Sequence, residues 1–134
     1  MKTINTILMV DDSPGDQFLS QAEIEEWDDR VKLLSAYDGN EALDVLKKSE
    51  SPPDIVFLDI NMPSMNGFEF LAEYEKNNKP SLPPVVVMLT SSDQERDKEQ
   101  AGVYSCVKEY LVKPLTQEKI NAIAEVYSQW VEDE

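Results

Sequence analysis

The stretch IVFLDINMPSMNG, residues 55–67, decides how this chain is read. Four apolar residues, Ile55 to Leu58, form a run with no polar alternation, the pattern of a strand buried on both faces. Asp59 follows at once, where a carboxylate has no packing role. Pro63 and Gly67 then punctuate a tight turn. A buried strand that ends on a charge and continues into so constrained a loop points to a site rather than to a simple connection.

The same arrangement recurs on both sides. Strand signals fall at residues 4–10, 31–36, 55–59, 85–90 and about 107–112, and helical patterns separate them. Ser13-Pro14-Gly15-Asp16 offers an N-cap, a proline at the first helical position and an acid at the third. Asp38 to Glu41 can cap a helix carrying Ala42, Leu43, Val45 and Leu46. Thr116 precedes a stripe of Ile120, Ile123, Ala124 and Tyr127 at helical spacing. Residues 79–84, Lys-Pro-Ser-Leu-Pro-Pro, read as a stiff loop rather than a domain linker. Alternating strand and helix predict a parallel α/β sheet with right-handed crossovers and helices on both faces.

Composition narrows the chemistry. At 134 residues the chain is sized for one domain, and 41% hydrophobic with 29% charged residues is ordinary globular composition. No apolar run approaches the roughly 18 residues of a membrane span, and the N-terminus shows no secretory pattern. A single cysteine, Cys106, cannot form an internal disulfide, which points to a reducing, cytoplasmic setting. The net charge of −15 argues against nucleic acid or an anionic membrane as direct partner and favours divalent cations. Histidine is absent. That excludes Ser-His-Asp and Cys-His catalysis, imidazole metal sites and phosphohistidine on this chain.

In parallel α/β sheets ligands bind beyond the carboxyl ends of the strands. Strand one ends in Asp11-Asp12, strand three in Asp59, strand four in Thr90-Ser91-Ser92 and strand five in Lys113-Pro114. With 27 acids in 134 residues, adjacent acidic pairs arise by chance, so Asp11-Asp12 as a dipeptide carries no information. Position does. Three carboxylates, a hydroxyl and an amine each follow directly on an apolar strand, and they converge on one rim if those strands are neighbours. Carboxylates packed together repel unless one is protonated or a cation is held. Oxygen ligands without His or Cys suit Mg²⁺, or Mn²⁺ in its place. A cation opposite an ammonium and a hydroxyl makes a clamp for phosphoryl oxygens, within which a carboxylate can attack phosphorus to give an acyl phosphate.

The segments VDDSPGD, DGNEAL, VFLDINMPSMNGFEFL, VVMLTSSD and YLVKPLT together resemble the receiver domain of two-component response regulators, in particular stand-alone receivers such as the chemotaxis regulator. The likeness runs from about Ile4 to the last helix. It implies one receiver domain over residues 1–134 with no output domain, and a flavodoxin-like, doubly wound (βα)5 fold with strand order 2-1-3-4-5. It further implies that Asp59 accepts a phosphoryl group from a sensor histidine kinase or a histidine phosphotransfer protein. Asp12 and Asp59 would ligate Mg²⁺ through side chains, Asn61 through its backbone carbonyl and Asp11 largely through water. Thr90 would bond the phosphoryl group, and Lys113 would pair with Asp59 and then with a phosphoryl oxygen. The Lys113–Pro114 bond is expected to be cis. Tyr110 matches the switch aromatic, and Asn61 and Ser92 occupy the two positions that tune phosphoryl lifetime.

The fourth helix, expected over residues 93 to about 104, is polar from Gln94 to Gln100 without an apolar anchor. Together with the fifth strand and fifth helix, which carries Tyr127 and Trp130, it is the expected output face. The downstream protein target is not named by the sequence, nor is the choice between a switch, a phosphorelay intermediate and a phosphate sink. A phosphorylation-dependent homodimer is compatible with all three. A haloacid-dehalogenase-type phosphatase would want a second acid where Asn61 stands, and a substrate cap. An FMN-binding flavodoxin would want a hydroxyl- and glycine-rich loop where Asp11 and Asp12 stand. A receiver kept only as an interaction module sits poorly with the complete acid set.

Overall fold

The structure, a computed structural model, describes residues 3–77 and 84–132. Five strands and five helices alternate along the chain: β1 (Thr6–Val10), α1 (Pro14–Trp27), β2 (Lys32–Ala36), α2 (Gly39–Lys48), β3 (Ile55–Leu58), α3 (Gly67–Asn77), β4 (Val85–Thr90), α4 (Glu95–Gly102), β5 (Val107–Val112) and α5 (Gln117–Glu132). The strands form one parallel sheet in the order β2-β1-β3-β4-β5, as expected. Of the expected loop over 79–84, only Pro84 lies within the described residues, and it is buried.

Side chains alternate across the pleat, so each central strand feeds two cores. Leu8, Val10, Val56, Leu58, Val86 and Met88 pack with Ala42 of α2, Phe70 and Leu71 of α3 and Ala101 of α4. Ile7, Met9, Ile55, Phe57, Val87 and Leu89 pack with Ile24 of α1 and Ile120, Ile123 and Tyr127 of α5. Burial on both faces explains why β3 and β4 read as unbroken apolar runs.

The helix starts follow their caps. Ser13 Oγ accepts from the Asp16 amide at 3.1 Å, with Pro14 at the first position of α1. Asp38 Oδ1 accepts from the Glu41 amide at 2.9 Å. Thr116 Oγ1 accepts from the Lys119 amide at 3.3 Å. These are the donors left over at a helix N-terminus.

Three features add to or depart from the sequence reading. β5 carries a bulge: Val107 pairs with Val86, but Glu109 pairs with Val87. The extra residue shifts the register, so Thr90 lies opposite Val112 and Lys113 follows immediately, its amide donating to the Thr90 carbonyl at 2.8 Å. It also turns Tyr110 toward the α2-α3-α4 core and Leu111 toward the other. The fourth helix is shorter than expected, eight residues rather than the span 93–104, and it is anchored by one buried residue, Ala101. On α5, Tyr127 is buried in the α1-α5 core and half-buried Trp130 packs at its edge, the core-and-edge packing that the helical stripe allows.

Candidate functional site

The backbone ladder continues one residue past β1 and β3. The Asp11 amide donates to Ala36 O at 3.1 Å and the Asp59 amide to Val10 O at 3.0 Å, which sets the two carboxylates side by side at the strand ends. Both residues are buried, whereas Asp12 is exposed. Carboxylate oxygens of Asp11, Asp12 and Asp59 all lie within 4.8 Å of one another. Three like charges this close favour a bound cation or a retained proton. Burial pushes the Asp11 carboxyl above the usual range; its bonds from Lys113 and the Ser13 amide oppose that, and the Asp59 charge adds to it.

Lys113 closes the cluster from β5. Its Nζ lies 2.7 Å from Asp11 Oδ2, 2.8 Å from Asp16 Oδ2 and 3.1 Å from Asp59 Oδ2. Burial works to depress the ammonium, but its bonds to Asp11 and Asp16 and the charge of Asp59 outweigh burial and hold its pKa above that of an ordinary lysine. The Lys113–Pro114 peptide bond is cis. Lys119 of α5 donates to Val112 O and Pro114 O, each at 2.7 Å, and so pins the loop that carries Lys113.

Asp59 itself is fixed from two sides. Its Oδ1 accepts from the Ile60 amide at 2.8 Å and its Oδ2 from Lys113. The loop beyond it returns so closely that a Cβ at position 67 would collide with the Asp59 carbonyl oxygen; Gly67 stands there, its amide bonded to Ile60 O at 2.8 Å. Asn61 is exposed at the start of this loop. Thr90 is fully buried at the end of β4, its Oγ1 accepting from the Ser92 amide at 3.4 Å. The Tyr110 hydroxyl donates to Ser92 O at 2.9 Å.

The structure thus brings Asp11, Asp12, Asp59 and Lys113 together at one rim, with Thr90 at the end of the next strand. Three further residues belong to the arrangement and were not read as such. The sequence places Asp16 only at the start of α1, yet it reaches Lys113. Gln17 is buried, and its amide nitrogen lies 3.2, 3.1 and 2.9 Å from the carbonyls of Met9, Asp11 and Ala36, tying α1 to the ends of β1 and β2. Asp97 accepts from Ser92 Oγ at 2.5 Å. Spacing along the sequence gives no signal for Asp16 and Gln17, because their contacts join elements whose relative placement the helical pattern does not encode; the Ser92–Asp97 pair is local, five residues apart at the entrance to α4, and was within reach of a capping pattern.

Comparison with known proteins agrees with this geometry. The profile of the family described as "Response regulator receiver domain" matches residues 7–125. The chain belongs to that family. Protein PilH of Pseudomonas aeruginosa is 34% identical over 114 residues, which cover 85% of this chain and 89% of PilH. A two component response regulator from Cytophaga hutchinsonii superposes with a TM-score of 0.83 at 30% identity, covering 99% of this chain and 100% of that one. The Mn(2+)-bound form of response regulator Rcp1 superposes with a TM-score of 0.73 at 28% identity, covering 97% of this chain and 96% of that one. Receiver domains are signalling phosphoacceptors that take phosphate from histidine kinases and generally bind Mg²⁺ at an acidic pocket. No helix among the described residues is long and apolar enough to cross a membrane.

Proposed function

We propose that this receiver takes its phosphoryl group on Asp59, and the observation that carries the reading is the placement of that carboxylate. It is buried at the end of β3, grouped with Asp11 and Asp12, and bonded by Lys113 at 3.1 Å. One Asp59 oxygen attacks phosphorus while the P–N bond to the donor imidazole breaks, and the imidazole leaves with the electron pair. The Ile60 amide holds the carboxylate's plane, and Lys113 moves from the carboxylate to a phosphoryl oxygen. Thr90 Oγ1 already accepts from an amide, so its own proton is available to the same group. Asp12 and Asp59 with the Asn61 carbonyl, and Asp11 through water, are the groups that would hold Mg²⁺ or Mn²⁺. The all-oxygen donor set fits such a cation, as does the likeness to the Mn(2+)-bound Rcp1. When bound, the cation neutralises charge between the carboxylates and the phosphoryl oxygens. Beyond this transfer to itself and the slow loss of the group, the chain acts as a signalling protein and not as an enzyme on a separate substrate.

The donor is a histidine kinase or a histidine phosphotransfer protein. Phe18 and Leu19 of α1 stand 72% and 62% exposed on the helix that begins beside the rim, an apolar platform for a protein donor. Replacing both by Ala is expected to slow transfer from a protein donor at least tenfold and to leave phosphorylation by a small acyl phosphate unchanged. On the output side, Tyr110 and the Ser92 carbonyl join β5 to the loop that enters α4, a helix that buries one residue, Ala101. The α4-β5-α5 face is therefore the element through which phosphorylation would change partner affinity. This reading belongs with a cytoplasmic protein whose one cysteine is a buried thiol.

Intact mass after incubation with a small acyl phosphate and Mg²⁺ tests the assignment. A gain of one phosphoryl group that disappears in Asp59→Asn is expected. A gain that survives in Asp59→Asn places the acceptor elsewhere.

A further inference from the structure

An ammonium has three protons, and Lys113 Nζ donates to Asp16 Oδ2 and Asp59 Oδ2 and is ion-paired with Asp11 Oδ2 at 2.7 Å. Two of its partners, Asp11 and Asp59, belong to the acid group that would hold a cation and receive the phosphoryl. Asp16 does not; it lies on the first turn of α1. The backbone there is fixed independently of the site, by the Asp16 amide on Ser13 Oγ at 3.1 Å and the Gln17 amide on Ser13 O at 2.9 Å. The Asp16 side chain is 44% exposed against 16% for Lys113, so the pair stands at the lip of the pocket, where a groove of about 320 Å³ runs between Leu19, Ser20 and Pro114.

We propose that Asp16 is the positioning residue for Lys113, keeping the ammonium on the α1 side of the rim within reach of Asp59 when Asp11 and Asp59 are engaged with other charges. This rests on the reading of Asp59 and Lys113 given above. The need follows from the side chain. Lysine carries a point charge on a flexible four-carbon stem, and nothing in its shape fixes a direction. If a cation and a phosphoryl group take up Asp11 and Asp59, the ammonium loses two of its three partners. Asp16 is the one that stays, and it is mounted on a capped helix. The arrangement has an opposing effect, because a carboxylate near the rim repels an anionic donor. Asn at position 16 separates the two effects: it keeps an acceptor oxygen at the same reach and removes the charge.

The experiment compares Asp16→Ala and Asp16→Asn with wild type by two measurements. The first needs no cation: the rate at which an amine-acylating reagent modifies Lys113, mapped by peptide mass and referenced to exposed Lys47. Asp16→Ala is expected to raise it severalfold, and Asp16→Asn to leave it near wild type. The second is the rate of phosphorylation by a small acyl phosphate. Asp16→Ala is expected to lose about fivefold, the scale of one hydrogen bond to a half-exposed acceptor, with Asp16→Asn, which keeps the acceptor, within about twofold of wild type. Both variants place good or tolerated residues in an exposed first turn, and circular dichroism checks that they fold. If Asp16→Ala leaves both rates unchanged, or phosphorylates faster, the proposal is overturned, the second result making Asp16 a charge brake. Lys113→Ala runs alongside. Wild-type phosphorylation there would remove the underlying reading of Lys113, whereas impairment there with a silent Asp16→Ala removes only the proposal.

Discussion

Single atoms decide two of the molecule's properties. A methyl group at position 67 would meet the Asp59 carbonyl oxygen and come within 3.0 Å of Ile60 Cα, both backbone and unable to yield. Gly67→Ala is therefore expected to cost roughly 1–3 kcal/mol, the range for overpacking, read as a lower denaturant midpoint, and to reduce phosphoryl uptake because Asp59 shifts with its carbonyl. Cys106 shows the opposite case, a group hidden from solvent. Burial first, and then the nearby Glu75, push its thiol from 9.0 up to about 12. An acid whose folded pKa is raised holds its proton in the native state after the unfolded chain has released it. Stability should therefore fall as pH rises from 9 toward 12, and Cys106→Ala should flatten that fall in denaturant midpoints taken across the range; an unchanged slope would locate the alkaline loss in other groups. At this scale the sequence was legible where the strand end named the residue, as for Asp59, Thr90 and Lys113. It was not legible for Asp16, whose identity fits a helix start just as well and whose contact with Lys113 spans 97 positions.

Among the elements, α4 departs most from expectation. The polar run from Gln94 to Gln100 predicted a weakly held helix, and its single buried residue bears that out, but the helix is shorter at both ends. Gln94 at its N-cap makes no side-chain bond to the helix; instead Ser92 Oγ reaches forward to Asp97 at 2.5 Å and accepts from the Gln94 amide at 3.3 Å. Lys98 lies over the Tyr110 ring at 5.9 Å. Asp97→Ala should remove a bond worth about 1.5 kcal/mol and speed amide hydrogen exchange across α4 by about tenfold, with α5 unaffected. Equal acceleration in both helices would mean that Asp97 supports the fold at large rather than α4. Caps on α1, α2 and α5 could be read ahead because Ser13, Asp38 and Thr116 lie within a few residues of the amides they serve. The β5 bulge could not, since the apolar character of β5 says nothing about which residue pairs with which across the sheet.

For the molecule as a whole, charge and topology set the behaviour. The parallel sheet delivers every functional strand end to one edge, so a net charge of −15 has a local concentration there as well as a general repulsion. Adding Mg²⁺ at about one hundred times its dissociation constant should stabilise the fold by about 2.7 kcal/mol, seen as a rise in Tm. Asp12→Asn, at an exposed position, should abolish most of that rise while leaving or increasing stability without the cation. The parallel sheet was available from the alternation of strands and helices, its strand order only from the family resemblance. The mechanical character of the rim was not, and it has a consequence of its own. On one side of Asp59 the chain is clamped: Gly67 is seated against its carbonyl, and α3 behind it is fastened by fully buried Phe70 and Leu71. On the other side, the path through Thr90 and Ser92 ends on α4, which buries one small residue, Ala101, and is otherwise tied by polar contacts of Asp97 and Lys98. A frame bolted at one end and loose at the other converts any push at its centre into travel at the loose end. With the output running through α4 as proposed, added apolar fastening there is expected to quiet the response while phosphoryl uptake on Asp59 carries on.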